Sequence, residues 1–117
     1  MDREKLLDEI KLLKGIEDSN QDKLLKLIIE DSDQRVLTYI NLYCDKFQKE
    51  TPEELIYIVR DVAVKRFNRL NSEGTTADSE EGRSFTWEPS YLAEYEDILK
   101  DFAKNRKYRS KGIARFI

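Results

Sequence analysis

The chain is short of the residues on which most catalytic and metal sites are built. It has no histidine and a single cysteine, Cys44, whereas histidine is the commonest general base and transition-metal ligand in proteins. One cysteine cannot form an intrachain disulfide, and it argues against a cysteine-based metal site. Because Cys44 follows an apolar helical stripe, we expect a buried or half-buried structural thiol.

Long apolar runs are also absent. The longest uninterrupted apolar stretch, residues 55–59, falls far short of the roughly 20 residues that a membrane span requires. No apolar run of the signal-peptide type follows the N terminus. We therefore expect a protein that is made in the cytoplasm, carries no export signal of its own and has no membrane partner.

The composition favours one small helical domain with a thin core. The chain has 117 residues, a length typical of one domain. Its four glycines and two prolines leave room for long regular segments. Charged residues make up 38% of the chain and hydrophobic residues 39%, against a usual charged share of about 25%. Such a domain is expected to finish burying its apolar surface against copies of itself or a partner.

The net charge of −3 hides an uneven distribution along the chain. Residues 104–117 hold six basic residues and no acid, so the other 103 residues carry 15 basic and 24 acidic side chains, a net charge of −9. We predict a helical domain over 1–103 and a basic C-terminal tail over 104–117. The tail would meet an acidic surface on a nucleic acid, a partner protein or a neighbouring copy. The alternative is a solvated, frayed terminus.

The end of the tail favours a contact over a solvated terminus, because a purely solvating segment does not need three large apolar side chains. Residues 113–117 would add an extended strand to an exposed sheet edge of the partner, with alternate side chains in pockets. The tail residues in this prediction are Lys104, Arg106, Lys107, Arg109, Lys111, Ile113, Arg115, Phe116 and Ile117.

Apolar residues at helical spacing indicate the first two helices. A stripe over about 2–13 predicts the first helix, and Gly15 follows it where a left-handed cap forms easily. The second helix starts near Ser19, which with Asp22 has the spacing of a capping box. Its stripe runs from 24 to 43 and is interrupted at Asp31 and Ser32. That interruption predicts either a bend or a polar contact between subunits.

The third helix has the clearest start. Thr51 supplies a capping hydroxyl, Pro52 suits the first helical position, and two glutamates follow in the first turn. Residues 55–70 are apolar on nearly all sides, which is typical of a helix that is central in its fold or held between subunits. The residues assigned to a subunit interface on this basis are Ile56, Val59, Ala63 and Phe67.

A long connection, residues 71–89, separates the third helix from the last. Connections of this length inside a compact domain are usually functional or disordered. Residues 84–87 alternate polar and aromatic side chains, so Phe85 and Trp87 would project from the same side. They either fold back to cap the bundle or project as an arm and dock on another protein. A further apolar stripe starts at Ser90, so the expected fold is an all-α bundle of three to four helices with this long loop and an extended C-terminal tail.

No catalytic or cofactor motif accompanies these helices. The sequence has no glycine-rich phosphate loop, nucleophile elbow or metal-ligand cluster. Asp31 and Asp33 are the most site-like pair, but two residues apart on a helix they face different directions, which favours a solvated face. We therefore expect no enzyme activity, catalytic residues, cofactor or metal. A body with a net charge of −9 would also repel nucleic-acid phosphates.

Residues 58–70 and 73–74, followed by 79–82 and 84–87, resemble the head–tail connector proteins of tailed phages, also called adaptor or head-completion proteins. The opening residues 6–13 with Gly15 and Ile16, and residues 31–41, are similar to the same family. The resemblance covers roughly residues 5–102, and 59–82 is its most specific part.

This resemblance implies a non-enzymatic virion protein at the head–tail interface. Members are helical bundles that form a homo-oligomeric ring, commonly a dodecamer, under the portal vertex. The ring extends the channel through which genomic DNA passes without specific binding, and it carries the next completion protein or the tail. On this basis we expect the basic tail to dock on the portal protein, and the loop with Phe85 and Trp87 to face the tail side.

Two other functions would also fit these sequence features. One is a small cytoplasmic helical regulator that binds a protein partner through Phe85 and Trp87. The other is a nucleic-acid binder that uses the basic tail, with an affinity that falls steeply with salt.

Overall fold

The computed structural model describes residues 2–72 and 87–104, and in these ranges the chain is helical with no strand. This confirms the predicted all-α bundle. Within the same ranges no helix is both long and apolar enough to cross a membrane. A 3₁₀ turn over Glu53–Leu55 leads into the third helix. The helices are α1 (Arg3–Lys14), α2 (Asp22–Tyr43), α3 (Ile56–Ser72), α4 (Ser90–Ala93) and α5 (96–104).

Local sequence determines both ends of α1. The Asp2 carboxylate accepts a hydrogen bond from the Lys5 backbone N–H at 3.1 Å. At the other end Gly15 has a φ of +70°, in the left-handed region where glycine is favoured. The Gly15 cap is therefore confirmed. Leu13, predicted to be part of the apolar stripe, is 66% exposed. The neighbouring turn of α1 contacts the start of α2, where Lys11 pairs with Asp22, its first residue, at 2.8 Å.

The predicted start of α2 is wrong in detail. The N-cap is Gln21, and no side chain caps the first turn. The Asp22 carboxylate pairs with Lys11 on α1 instead of completing a capping box with Ser19. The helix then continues without a break through Asp31 and Ser32. Residue 32 is completely buried, and its partners lie within the same chain, as described below.

The core is built around α3, and α2 makes the most extensive contact with it. Of the two expectations for the third helix, the structure supports a central position in the fold. Val59, Ala63 and Phe67, three of the four residues assigned to a subunit interface, are at most 1% exposed in the single chain. They have no surface left for a neighbouring subunit. The fourth, Ile56, is only partly buried.

The last helical segment is divided in two. A turn at residues 94–95 separates α4 from α5, and the Tyr95 N–H bonds to the Leu92 carbonyl at 2.9 Å. The Tyr95 hydroxyl donates to Asp61 on α3 at 3.2 Å. Burial raises the pKa of Tyr95 to about 12, and the negative charge of Asp61 adds to the effect. This contact fixes the α4–α5 turn against the centre of the bundle.

Candidate interaction surfaces

Six of the fifteen predicted site residues lie in the part of the chain that the structure describes. Phe85 and the tail from Arg106 to Ile117 fall outside it, so their predicted roles remain predictions. Lys104 is described and is exposed at the end of α5. Trp87 is described and is half-buried.

A buried arginine on α3 joins this helix to α2. Arg66 is only 2% exposed. Its guanidinium donates hydrogen bonds to Asp31 at 2.8 Å and to the Ser32 hydroxyl at 3.1 Å. A buried charge is costly unless it is paired and hydrogen-bonded, and α2 supplies both kinds of partner. The polar interruption of the α2 stripe is therefore a site within the chain rather than a contact between subunits.

Trp87 packs onto this arginine. The guanidinium carbons of Arg66 and Arg35 lie 5.2 Å and 5.3 Å from the centroid of its ring, a distance at which a cation is attracted to an aromatic face. Tyr91 meets the same ring edge-on, with 5.2 Å between centroids. We call Arg35, Arg66, Trp87 and Tyr91 the Trp87 cluster. Trp87 thus packs on the bundle, as the first alternative has it for this side chain, whereas Phe85 lies outside the described residues.

A second polar contact lies where the 3₁₀ turn meets α2. The Thr51 hydroxyl donates to Asp33 at 2.6 Å, so it does not cap the third helix as expected. Arg3 approaches the other oxygen of Asp33 at 3.5 Å. Asp33 is 7% exposed, so the expectation that Asp31 and Asp33 lie on a solvated face is wrong. No sequence motif signalled the pairing, because its partners lie 18 and 30 residues away.

Several large apolar side chains are exposed in the single chain. Leu12 and Leu13 lie at the end of α1, and Leu42 and Phe47 lie at and beyond the end of α2; their exposed fractions are 83%, 66%, 70% and 72%. The Asn41 side chain bonds to both the backbone N–H and the carbonyl of residue 48. This pair of bonds holds the segment that carries Phe47 against the last turn of α2.

A shallow cavity of about 500 Å³ lies between the start of α1 and the start of α3. Ile56 and the 39% exposed Tyr57 line it, together with charged residues that include Glu9 and Arg60. Arg60 approaches Glu9 at 3.7 Å across this cavity. Ile56 is thus the one member of the predicted subunit interface that faces an open surface.

Among the described residues, no group of cysteine and acidic side chains is placed to hold a metal ion. Cys44 is half-buried at the end of α2, as expected. The arrangement consists of structural ion pairs and apolar surface, which suits binding between proteins.

Comparison with known proteins gives one finding. The family model for phage gp6-like head-tail connector proteins matches residues 4–102, nearly the whole helical part of the chain. No curated protein and no solved structure matches the chain. The match confirms the resemblance noted in the sequence, and neither the regulator nor the nucleic-acid binder has a counterpart in it. The chain belongs to the phage gp6-like head-tail connector family, and it is a structural connector protein of the virion.

Proposed function

We propose that this connector assembles as a closed ring of identical subunits under the portal vertex, with twelve copies, the number that is common in the family. There it extends the DNA channel and carries the next completion protein or the tail. The observation that carries the proposal is the family match over residues 4–102. The net charge of −9 outside the tail suits a channel through which DNA must slide, because like charges do not adhere.

A ring of identical subunits needs two different, complementary surfaces on each copy. The exposed Leu12 and Leu13 at the end of α1 are one candidate. The cavity lined by Ile56 and Tyr57, near the opposite end of α1, is the other. Large exposed apolar side chains gain most from such a contact, because burial removes their surface from water. Leu12 and Leu13 of one copy would enter the Ile56 cavity of the next.

Electron microscopy of the connector mixed with isolated portal tests the ring. We expect an added ring of density beneath the portal. Replacing Leu12 and Leu13 by Asp should prevent it without loss of helical content, since both side chains are exposed. The matched control is Leu27→Asp, at a side chain that is 50% exposed on the outer face of α2. A connector that stays monomeric beside intact portal would reject the ring.

The basic tail is the proposed portal contact. Its cations, from Lys104 to Arg115, supply attraction to an acidic portal surface, and residues 113–117 add an extended strand to an exposed sheet edge there. Deleting 105–117 leaves the described helices complete. We expect this deletion to abolish binding to isolated portal while circular dichroism is unchanged. Undiminished binding would remove the tail from the proposal.

The loop before α4 is the proposed tail-side contact, with Phe85 and Trp87 as its anchors. Because Trp87 also packs on Arg66, its replacement would combine two effects. Phe85→Ala is the cleaner variant, and it should block tail joining to heads that already carry the connector. Thr86→Ala, at the neighbouring position, is the control. Normal joining with Phe85→Ala would show that this side chain is not an anchor.

A further inference from the structure

An apolar surface at the C-terminal end of α2 is left uncovered by the described residues. Leu42, Tyr43 and Phe47 are 70%, 44% and 72% exposed. The Tyr39 ring packs against the Tyr43 ring in a tilted arrangement, with 5.3 Å between ring centroids. We call these four side chains the α2 apolar surface. It continues into a groove of about 400 Å³ between α2 and α4, which reaches Trp87.

The C-terminal tail begins beside this surface. The Lys100 ammonium lies 5.5 Å from the ring centroid of Tyr43, and the described part of α5 ends one turn later, at Lys104. The nine residues from there to Ile113 span up to about 30 Å when extended. The tail is therefore long enough to turn back and reach any part of the α2 apolar surface.

The tail also matches the surface chemically. Ile113, Phe116 and Ile117 are the only large aliphatic or phenylalanine side chains beyond residue 104, and the tail carries no acid. Asp97 and Asp101 are exposed on α5, and neither forms an ion pair with another described residue. A basic linker would therefore pass along acidic side chains before its apolar end meets an apolar surface.

We propose that residues 113–117 cover the α2 apolar surface of their own chain in the unassembled subunit. The occupant is the same chain's tail rather than a second copy's, because the short linker gives the tail a high local concentration, of about millimolar order. At lower subunit concentrations the intrachain contact outcompetes one between copies.

This arrangement gives the tail two successive partners. In the free subunit the tail covers apolar surface that would otherwise promote association. When the portal binds the tail, the α2 apolar surface becomes exposed while further subunits join the ring. The second step rests on the proposed function, whereas occupation of the surface in the free subunit does not.

Disulfide trapping in the full chain, without portal, tests the intrachain contact. Cys44 directly follows Tyr43, and Ala114→Cys places a second thiol between Ile113 and Phe116. Under mild oxidation we expect an intrachain disulfide. It should form about tenfold faster than in a matched variant whose three apolar tail residues are replaced by Ser. That variant has the same linker length, so its rate of disulfide formation measures the contribution of the tether alone.

A second pair of variants alters the surface instead of the tail. Combined with Ala114→Cys, the substitutions Leu42→Ser and Phe47→Ser should slow trapping by a similar factor. Leu27→Ser, at an exposed side chain of α2 outside the α2 apolar surface, should leave the rate unchanged. Circular dichroism checks that each variant retains its helices.

Two results would overturn the proposal. Equal trapping rates with and without the apolar tail residues would mean that only the tether brings the thiols together. Disulfide-linked dimers in place of the intrachain product would identify a second copy as the occupant. Neither result bears on ring formation with portal, and a failure of ring formation would leave the trapping experiment unaffected.

Discussion

The Trp87 cluster predicts a specific cost for replacing Arg66 by Met. Methionine approximates the volume of the arginine stem but removes the charge and every donor. The change removes the hydrogen bond that the completely buried Ser32 hydroxyl accepts from α3, and it removes a charged hydrogen bond to Asp31 at 2.8 Å. It also withdraws a cation that lies against the Trp87 ring.

The magnitude follows from how completely each partner is buried. Breaking a fully buried ion pair by removing one member costs about 3–5 kcal/mol. Here the Asp31 side chain is 26% exposed and also approaches Arg35 at 3.5 Å, so part of its charge remains compensated. We therefore expect Arg66→Met to lower the free energy of unfolding by about 2–3 kcal/mol, below the full buried-pair value. A typical domain, with about 5–15 kcal/mol of stability, would still fold.

Urea denaturation measures this cost. Circular dichroism follows the helices, and the fluorescence of the only tryptophan, Trp87, follows the cluster. The matched control is Arg60→Met on the same helix, because the Arg60 side chain is 32% exposed and its carboxylate partners lie at 3.5 Å and 3.7 Å. Exposed pairs of this kind contribute about 0–1 kcal/mol.

A double-mutant cycle isolates the ion pair from the packing. Arg66→Met and Asp31→Asn should show a coupling energy of about 1 kcal/mol or more, because the two side chains are in direct contact. The reasoning would be refuted if Arg66→Met cost no more than Arg60→Met and the cycle showed no coupling. The arginine would then be only a space-filling part of the core.

Three further predictions concern single contacts. Thr51→Val removes the hydroxyl bonded to the buried Asp33 carboxylate and should cost about 1–3 kcal/mol in urea denaturation, whereas Thr51→Ser should restore most of it. Gly15→Ala forces a side chain into the left-handed region and should lower stability by about 1 kcal/mol; an unchanged denaturation midpoint would contradict that geometry. Burial raises the pKa values of Tyr39 and Tyr95 from 10.0 to about 12. Because these two tyrosines lose their protons at a lower pH in the unfolded chain than in the folded one, the free energy of unfolding should keep its full value below pH 10 and fall between pH 10 and pH 12. A spectrophotometric titration in which all tyrosines ionise together near pH 10 would argue against burial.

Local signals predicted the parts of the fold that depend on neighbouring residues. The α1 stripe and the Gly15 cap depend only on residues that are close to each other in sequence, so their structure follows from backbone sterics and spacing. The capping hydroxyls at Ser19 and Thr51 were predicted by the same logic and were wrong. Thr51 bonds to Asp33 and Asp22 pairs with Lys11. A side chain with two possible partners takes the one that the fold brings closest, which spacing does not reveal.

The predicted interface shows the same limit for apolar residues. The apolar character of α3 was evident, but two explanations fitted it, burial within the chain or between chains. Val59, Ala63 and Phe67 are buried within the chain, and the exposed apolar residues lie instead at Leu12 and around Leu42. Periodicity reports how much of a helix avoids water, and it does not identify the element that covers it.

Composition and spacing thus specified an all-α bundle, its approximate helices and a basic C-terminal stretch, because each depends on residue types or on short-range order. The burial of Arg66, its contacts with α2 and Trp87, and the Asp33–Thr51 pair depend on which distant residues meet after folding. Those contacts join residues that are 18 to 35 positions apart, and a charged side chain is buried only when its partners are brought to it by the packing of the helices.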